Sequence, residues 1–290
     1  MKKSAFSVLE LSIVILVIGL LIGGVMQGSR LLQKSRLEHA RRVTESSPVH
    51  SIKGLVAWFE TTLEQSFLDA ETSDGSTISE WRDISSQGSN NPKNATQAAG
   101  GYRPIYSSNN VTGLPMLRFY KDGTNDHLLL PDGTVPYNDS PYSVFTIHVP
   151  NRTVAVSLHY ILYSGTNSNN LNNAFGYAPA SSTTDYLFHT WGGDSPWSVA
   201  LPYVQIARQA SFLYDNSNRY IYTNGSLNKT IAGGGRTSTS ANNVIGGFAY
   251  GSGTFGGYIG EIIIFDRALD TDEREAVEQY LLKKWGIKSS

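Results

Sequence analysis

The chain of 290 residues contains no cysteine. That excludes disulfide frameworks, thiolate zinc sites, iron–sulfur clusters and cysteine nucleophiles. Charge is also scarce: 16% of residues are Asp, Glu, Lys or Arg, against about 25% in an ordinary soluble domain. The formal net charge is -1, so the chain lacks the basic surplus with which a nucleic-acid binder displaces counterions, and nucleic acid is not an expected partner. No internal repeat is visible. What fills the gap is 28 Gly and 16 Tyr, together with many Ser, Thr and Asn. This is the palette of a turn-rich β protein that meets water through hydroxyls and amides. The length suits one large domain or two small ones with an ample core.

The first thirty residues have a different character. A short basic leader, Met1-Lys2-Lys3-Ser4-Ala5, precedes a largely apolar run from Phe6 to Met26 in which Glu10 is the single ionisable group. About 20 such residues cross a hydrocarbon core of about 30 Å as a helix. Three readings compete. A secretory signal explains Lys2 and Lys3, but Gln27-Gly28-Ser29-Arg30 is a poor cleavage site. A plain anchor leaves Glu10 as a cost of about 2.5–3.5 kcal/mol deep in the membrane. In the third, a cation in the same layer stabilises Glu10: the free α-amino group made by cutting between Ala5 and Phe6.

Lys2-Lys3-Ser4-Ala5, then Phe6-Ser7-Val8-Leu9-Glu10, then the unbroken apolar stretch, resembles the N-terminus of type IV prepilins and pseudopilins. The resemblance implies removal of the leader by a prepilin peptidase, N-methylation of the new terminus at Phe6, and packing of helices from other pilin-like subunits into a filament core. Glu10 matches the family's acidic position, which neutralises the N-terminus of a neighbouring subunit. Ala5 stands where Gly is commoner. Gln27 replaces the proline at which many major pilins kink, and the paired cysteines of many pilin heads are missing. Both gaps point to a minor or pilin-like subunit.

Beyond the membrane, Leu31, Leu32, Leu37, Ala40 and Val43 continue an uneven apolar stripe at helical spacing. Pro48 disfavours helix at Ser47 and marks its end. Arg30, Lys34, Arg36, Arg41, Arg42 and Lys53 outnumber Glu38 and Glu45 here. Under the positive-inside rule this basic stretch marks a cytoplasmic face, in conflict with the pilin orientation, while Lys2 and Lys3 compete with it.

After Pro48 the period changes. Short apolar runs recur between turn clusters: 54–60, 114–119, 127–130, 143–149, 154–163, 212–214, 220–222, 244–248 and 258–265. Asn224-Gly225 is a hairpin signal, because both residues accept positive φ. This rhythm predicts an antiparallel sandwich or jelly roll. Only the tail is helical: Asp270-Thr271-Asp272-Glu273 offers a cap and an acidic first turn, Arg274 to Trp285 is amphipathic, and Gly286 ends it.

Several body segments together resemble the concanavalin A-like, laminin-G-like jelly rolls of bacterial surface proteins. They include Gly54 to Phe59, Trp81-Arg82-Asp83 with Asn94-Ala95-Thr96, Arg103-Pro104-Ile105-Tyr106, Gly113 to Phe119, Gly257 to Leu269, and the tail from Glu273 to Gly286. The resemblance implies a two-sheet sandwich of a kind that often binds carbohydrate or protein. Some glycan hydrolases share the architecture and need two carboxylates flanking the bond. The candidate strand, Glu261 to Asp266, has isoleucines where the family's other carboxylates sit, and its two acids point to opposite faces. No enzymatic activity and no catalytic residue are expected.

The six histidines, His39, His50, His127, His148, His159 and His189, form no pair at metal-ligand spacing. Asp74, Asp83, Asp122, Asn125 and Asp126 carry the oxygens that calcium takes, but in no Asp-x-Asp-x-Asp-Gly loop, so no metal or cofactor is predicted and turn duty is expected. The densest aromatic cluster is 189–197. Indole faces stack on sugars while polar groups meet hydroxyls, which makes His189, Trp191, Asp194 and Trp197 the candidate glycan contacts. The competing role for the tryptophans is to seal the core. The sequence therefore predicts a mainly β protein: an antiparallel jelly-roll β-sandwich head on a long N-terminal transmembrane α-helix, with a short C-terminal helix. Its parts are a leader (1–5), a pilin-like helix (6–47, membrane part about 6–26) and the head (48–290). The expected location is the bacterial inner membrane, single-pass, with the head in the periplasm or outside the cell on a filament.

Overall fold

The computed structural model describes residues 8–85, 91–108, 110–119, 125–151, 158–168, 171–181, 183–189, 198–203, 205–233, 237–248 and 255–289. Helix α1 (Val8–Glu45) runs for 38 residues, a length of about 57 Å. Nothing in its Leu-, Ile- and Val-rich sequence breaks it before Pro48. At its end Ser46 donates from both its backbone N (3.1 Å) and its Oγ (2.9 Å) to the Arg42 carbonyl. Only its last turns enter the head, where Ala40, Val43 and Thr44 are buried.

The head is a sandwich of two antiparallel sheets, each of eight strands among the described residues. The first takes the order β14 (Ser226–Ala232), β13 (Asn218–Thr223), β12 (Arg208–Tyr214), β7 (Tyr142–Pro150), β16 (Gly257–Phe265), β5 (Met116–Phe119) and β4 (Ile105–Ser107), with β1 (Leu55–Glu60) also paired to β16. The second takes the order β11 (Ser198–Pro202), β10 (Thr184–His189), β9 (Asn172–Ser181), β8 (His159–Gly165), β15 (Val244–Ile245), β6 (Leu128–Leu129), β3 (Ala95–Thr96) and β2 (Glu80–Trp81). Asn224 and Gly225, at φ 49 and 82, close the β13–β14 hairpin between Thr223 and Ser226. Positive φ at both centres matches the right-handed twist of the strands they join.

Strand alternation sorts β16 into two faces. Ile262 and Ile264 point between the sheets, with Ala57, Phe59, Val144 and Phe212. Ile263 and Phe265 point the other way, joining Ala40, Val43, Trp58, Phe145, Leu281 and Trp285 in a second core. That outer core lies beneath helix α2 (Thr271–Trp285) and the end of α1. Covered on both sides, β7 and β16 are buried along both faces, and the polar side chains they carry, Ser143, Thr146, His148 and Glu261, are buried with them. Helix α2 begins with a full capping box: the Asp270 side chain accepts from the Glu273 backbone, and Glu273 reaches back to the Asp270 N–H. Gly286 closes it in the left-handed conformation.

Candidate functional sites

Three regions carry features beyond packing. The first is the free length of α1. Its N-terminal side chains, from Val8 (86% exposed) through Leu20 (70%) to Val25 (72%), are uncovered by the rest of the chain. It is one helix long and apolar enough to cross a membrane, with mean hydropathy 2.7 in its most apolar window. Glu10 lies in its first turn, where a carboxylate also faces the positive end of the helix dipole. Ala5 and Phe6 lie outside the described residues.

The second is the junction of α1 with the head. Glu60 and Glu261 stand opposite each other on β1 and β16, and both are fully buried. Lys284 of α2, equally buried, reaches Glu60 Oε2 at 2.8 Å and Glu261 Oε2 at 2.9 Å. Trp58 Nε1 (2.8 Å), Trp285 Nε1 (2.8 Å) and the Tyr280 hydroxyl (2.6 Å) donate to Glu261. Glu60 accepts from Thr62 N (2.8 Å), Leu63 N (2.6 Å), Thr62 Oγ1 (2.5 Å) and Ser66 Oγ (2.7 Å). Burial alone pushes the Glu60 carboxyl up, but the Lys284 charge and these donors outweigh it and hold the group below its ordinary value. Burial likewise pulls Lys284 down, and the two carboxylates outweigh it and raise the amine. Thr44 of α1 lies 3.3 Å from the Tyr280 hydroxyl, so the stalk helix touches this network directly. A carboxylate pair thus exists across two strands, where the single stretch from Glu261 to Asp266 has none. Sealed beneath α2 and bridged by a lysine, it has no access to a glycan.

Beside this junction opens a groove of about 970 Å³ between α1, the end of α2 and the first sheet. Arg36, His39, Arg42, Lys283 and Lys288 line it with Val111 and Ile206, and among the described residues no carboxylate does.

The third region is the second sheet, where the glycan contacts were expected. His189 ends β10 inside the sandwich with no exposed surface. Its Nε2 is 2.8 Å from the Tyr142 hydroxyl, and its ring packs on Phe175 and Phe212. The expectation of a sugar contact at His189 is corrected to a core role, since a ring without surface has none to offer. Trp191, Asp194 and Trp197 lie outside the described residues. A different aromatic set lies on the outer face: an irregularity in β8 between Tyr160 and Leu162 brings Tyr160 and Tyr163 to one side, where they pack with Phe188 and Phe248, Tyr160 stacking on Phe248 at 5.1 Å. Tyr186, two residues from Phe188 on the same face, is 46% exposed. Burial pushes the Tyr160 hydroxyl up to about 12. The signal for this face was the i, i+2 spacing of Tyr186 and Phe188, visible only once β10 is placed.

Among the described residues no group of three or more His, Asp or Glu is placed to hold a metal. Asp83 instead accepts from Trp58 N (2.8 Å) and Ser85 N (2.9 Å), and Asp74 from Ser108 N (2.8 Å). Of these the Ser85 bond is a local turn, while the Trp58 and Ser108 bonds tie distant segments together. Asp122 lies outside the described residues.

The two-sheet topology is matched by a family model. Residues 122–273 fit the one described as the concanavalin A-like lectin/glucanases superfamily. The chain belongs to this superfamily. The superfamily head is therefore lectin-like in fold. No curated protein matches the chain. Among solved structures it is similar to domain 4 of AbnA, a GH43 extracellular arabinanase from Geobacillus stearothermophilus, in complex with arabinotriose. That domain is 18% identical with TM-score 0.51, over 78% of this chain and 97% of the other. The binding domain of Paraclostridial Mosquitocidal Protein 1 is 12% identical with TM-score 0.52, over 80% of this chain and 55% of that one. Trypanosoma rangeli sialidase in complex with 2,3-difluorosialic acid is 12% identical with TM-score 0.50, over 93% and 40%. The superfamily member described here spans about half of the mosquitocidal domain and less of the sialidase. At these identities the likeness is one of fold.

Proposed function

We propose that the chain is a pilin-like structural subunit, a minor pilin or pseudopilin of a type IV pilus or a type II secretion-like filament, displaying a lectin-like head for adhesion or binding. The observation that carries this reading is the apolar length of α1 standing clear of the head with Glu10 in its first turn. A lone anchor has no use for that carboxylate, whereas a neighbour's new α-amino group at Phe6 neutralises it in the bilayer. In this reading a prepilin peptidase removes residues 1–5, the helix over 6–47 joins those of other subunits, and residues 48–290 form the head. The chain inserts once into a bacterial inner membrane, with the head in the periplasm or on the filament outside. The head binds and does not hydrolyse, because Glu60 and Glu261 are closed off by Lys284 and α2. Mass spectrometry of the purified N-terminus tests the proposal: chains beginning at Phe6, methylated or not, support it, and an intact Met1 or a cut near Ser29 overturns it.

A second reading is an anchored carbohydrate- or protein-binding module that never joins a filament. The superfamily match favours it, as does a neighbour domain solved with arabinotriose. Glu10→Ala separates the two: assembly fails in the first, and head function is untouched in the second.

A further inference from the structure

The basic groove beside α1 has an acidic counterpart on the same helix. Glu38 and Glu45 line a second hollow of about 590 Å³ with Glu64, Leu63 and Gln65. Arg41 within it is already committed, to Glu64 at 2.8 Å and to the Thr62 carbonyl at 2.8 Å, while Arg42 borders both hollows. At 3.6 residues per turn, Arg36, His39 and Arg42 centre roughly 110° around α1 from Glu38 and Glu45, at the same level within about 14 Å of rise. Among the described residues Arg36, Lys283 and Lys288 on one flank, and Glu38 and Glu45 on the other, form no ion pair. Val111 (61% exposed) and Ile206 (59%) add apolar rim to the basic side.

We infer that the basic groove is a docking site for the acidic flank of a second copy of this chain, with parallel copies joined head to tail around α1. The inference rests on the filament reading and names the contact between its heads. A foreign polyanion would account for the groove alone and leave the acidic flank unexplained. Anionic lipid is out of reach: Arg36 lies ten residues past Met26, about 15 Å, beyond a headgroup layer of about 5–7 Å. Because the two surfaces differ, the contact is heterologous and each copy keeps one of each to offer, which propagates an array instead of closing a dimer. The charges also serve register, since like flanks brought together repel.

The test uses full-length chains in membranes. With no native cysteine, engineered thiols report only the intended contact. Two differently tagged copies carry Ser35→Cys, which lines the groove, or Gln65→Cys, which lines the acidic hollow. Oxidation is expected to link Ser35→Cys to Gln65→Cys, and not either variant to itself. Reversing the groove (Arg36→Glu with Lys288→Glu) in both copies should cut that link about tenfold, as should reversing the flank (Glu38→Lys with Glu45→Lys) in both. A groove-reversed Ser35→Cys copy mixed with a flank-reversed Gln65→Cys copy should restore it. Equal self-linking of Ser35→Cys, or no restoration in the mixture, overturns the inference. Copies with Ile18→Cys in the apolar helix separate the two levels. If Ile18→Cys links while the groove pair does not, the docking surface is wrong and the filament reading stands. If neither links, both fall.

Discussion

Replacing Lys284 by Met tests whether the buried ion cluster holds the head together. The side chain has no exposed surface and lies within 2.9 Å of two carboxylates that are equally sealed. Removing one partner of a buried ion pair costs about 3–5 kcal/mol, because the remaining charge has no solvent to turn to. Here two carboxylates are left facing each other across β1 and β16, so the upper end is expected. At about 2–4 °C per kcal/mol for a domain of this size, the melting temperature should fall by roughly 10–20 °C. The wild type holds Glu60 below its ordinary value of 4.5, so that contribution is present above 4.5 and lost as pH falls through the depressed value. It holds Lys284 above 10.5, so that contribution is complete below 10.5 and lost as pH rises through the raised value. The contribution of this cluster to stability should therefore be flat between these limits. In Lys284→Met, burial acts on Glu60 without its cation and raises it, and the sign reverses: the variant should be less destabilised at pH 5 than at pH 8. Thermal melts of the full chain in detergent, followed by the fluorescence of Trp58 and Trp285, measure both effects. A variant that melts within a degree or two of wild type, or loses equally at pH 5 and pH 8, would refute the reasoning.

Gly260→Ala should dislodge α2, because the added methyl would stand 2.4 Å from the Trp285 ring and 2.9 Å from Met116. A loss of about 1–3 kcal/mol is expected, read by denaturant unfolding. His189→Ala should cost about 2–4 kcal/mol through a cavity and the lost Tyr142 partner, with glycan retention on an affinity column unchanged. Trp191→Ala should do the reverse, weakening retention with the melting temperature nearly constant.

What was legible in the sequence was what local chemistry determines. The run from Tyr258 to Phe265, the Asn224-Gly225 turn, the Asp270 cap and the Gly286 stop each carry their signal within a few residues. Strands β9 and β11 were not legible, because their Asn, Ser, Gly and Pro content disguises the alternation that only sheet pairing reveals, and β10 was not, because its apolar run is only Tyr186 to Phe188. His189 was misplaced because the Trp-rich segment after it drew it toward the surface. The Glu60–Lys284–Glu261 cluster joins residues 224 positions apart at its widest, and no spacing rule reaches that far. The helix was readable as a helix, but nothing in its pattern distinguished Ala40, Val43 and Thr44 as members of the head's own core.

That last feature bears on mechanics. Because the final turns of α1 interlock with the head instead of leading into it through a loose tether, the head has no swivel. Tension drawn along the rod would arrive through Thr44 and Tyr280 at Glu261, on the strand flanked by β7 on one edge and by β1 and β5 on the other. A load entering at the middle of a sheet must shear several ladders at once, whereas one applied at a rim peels them singly.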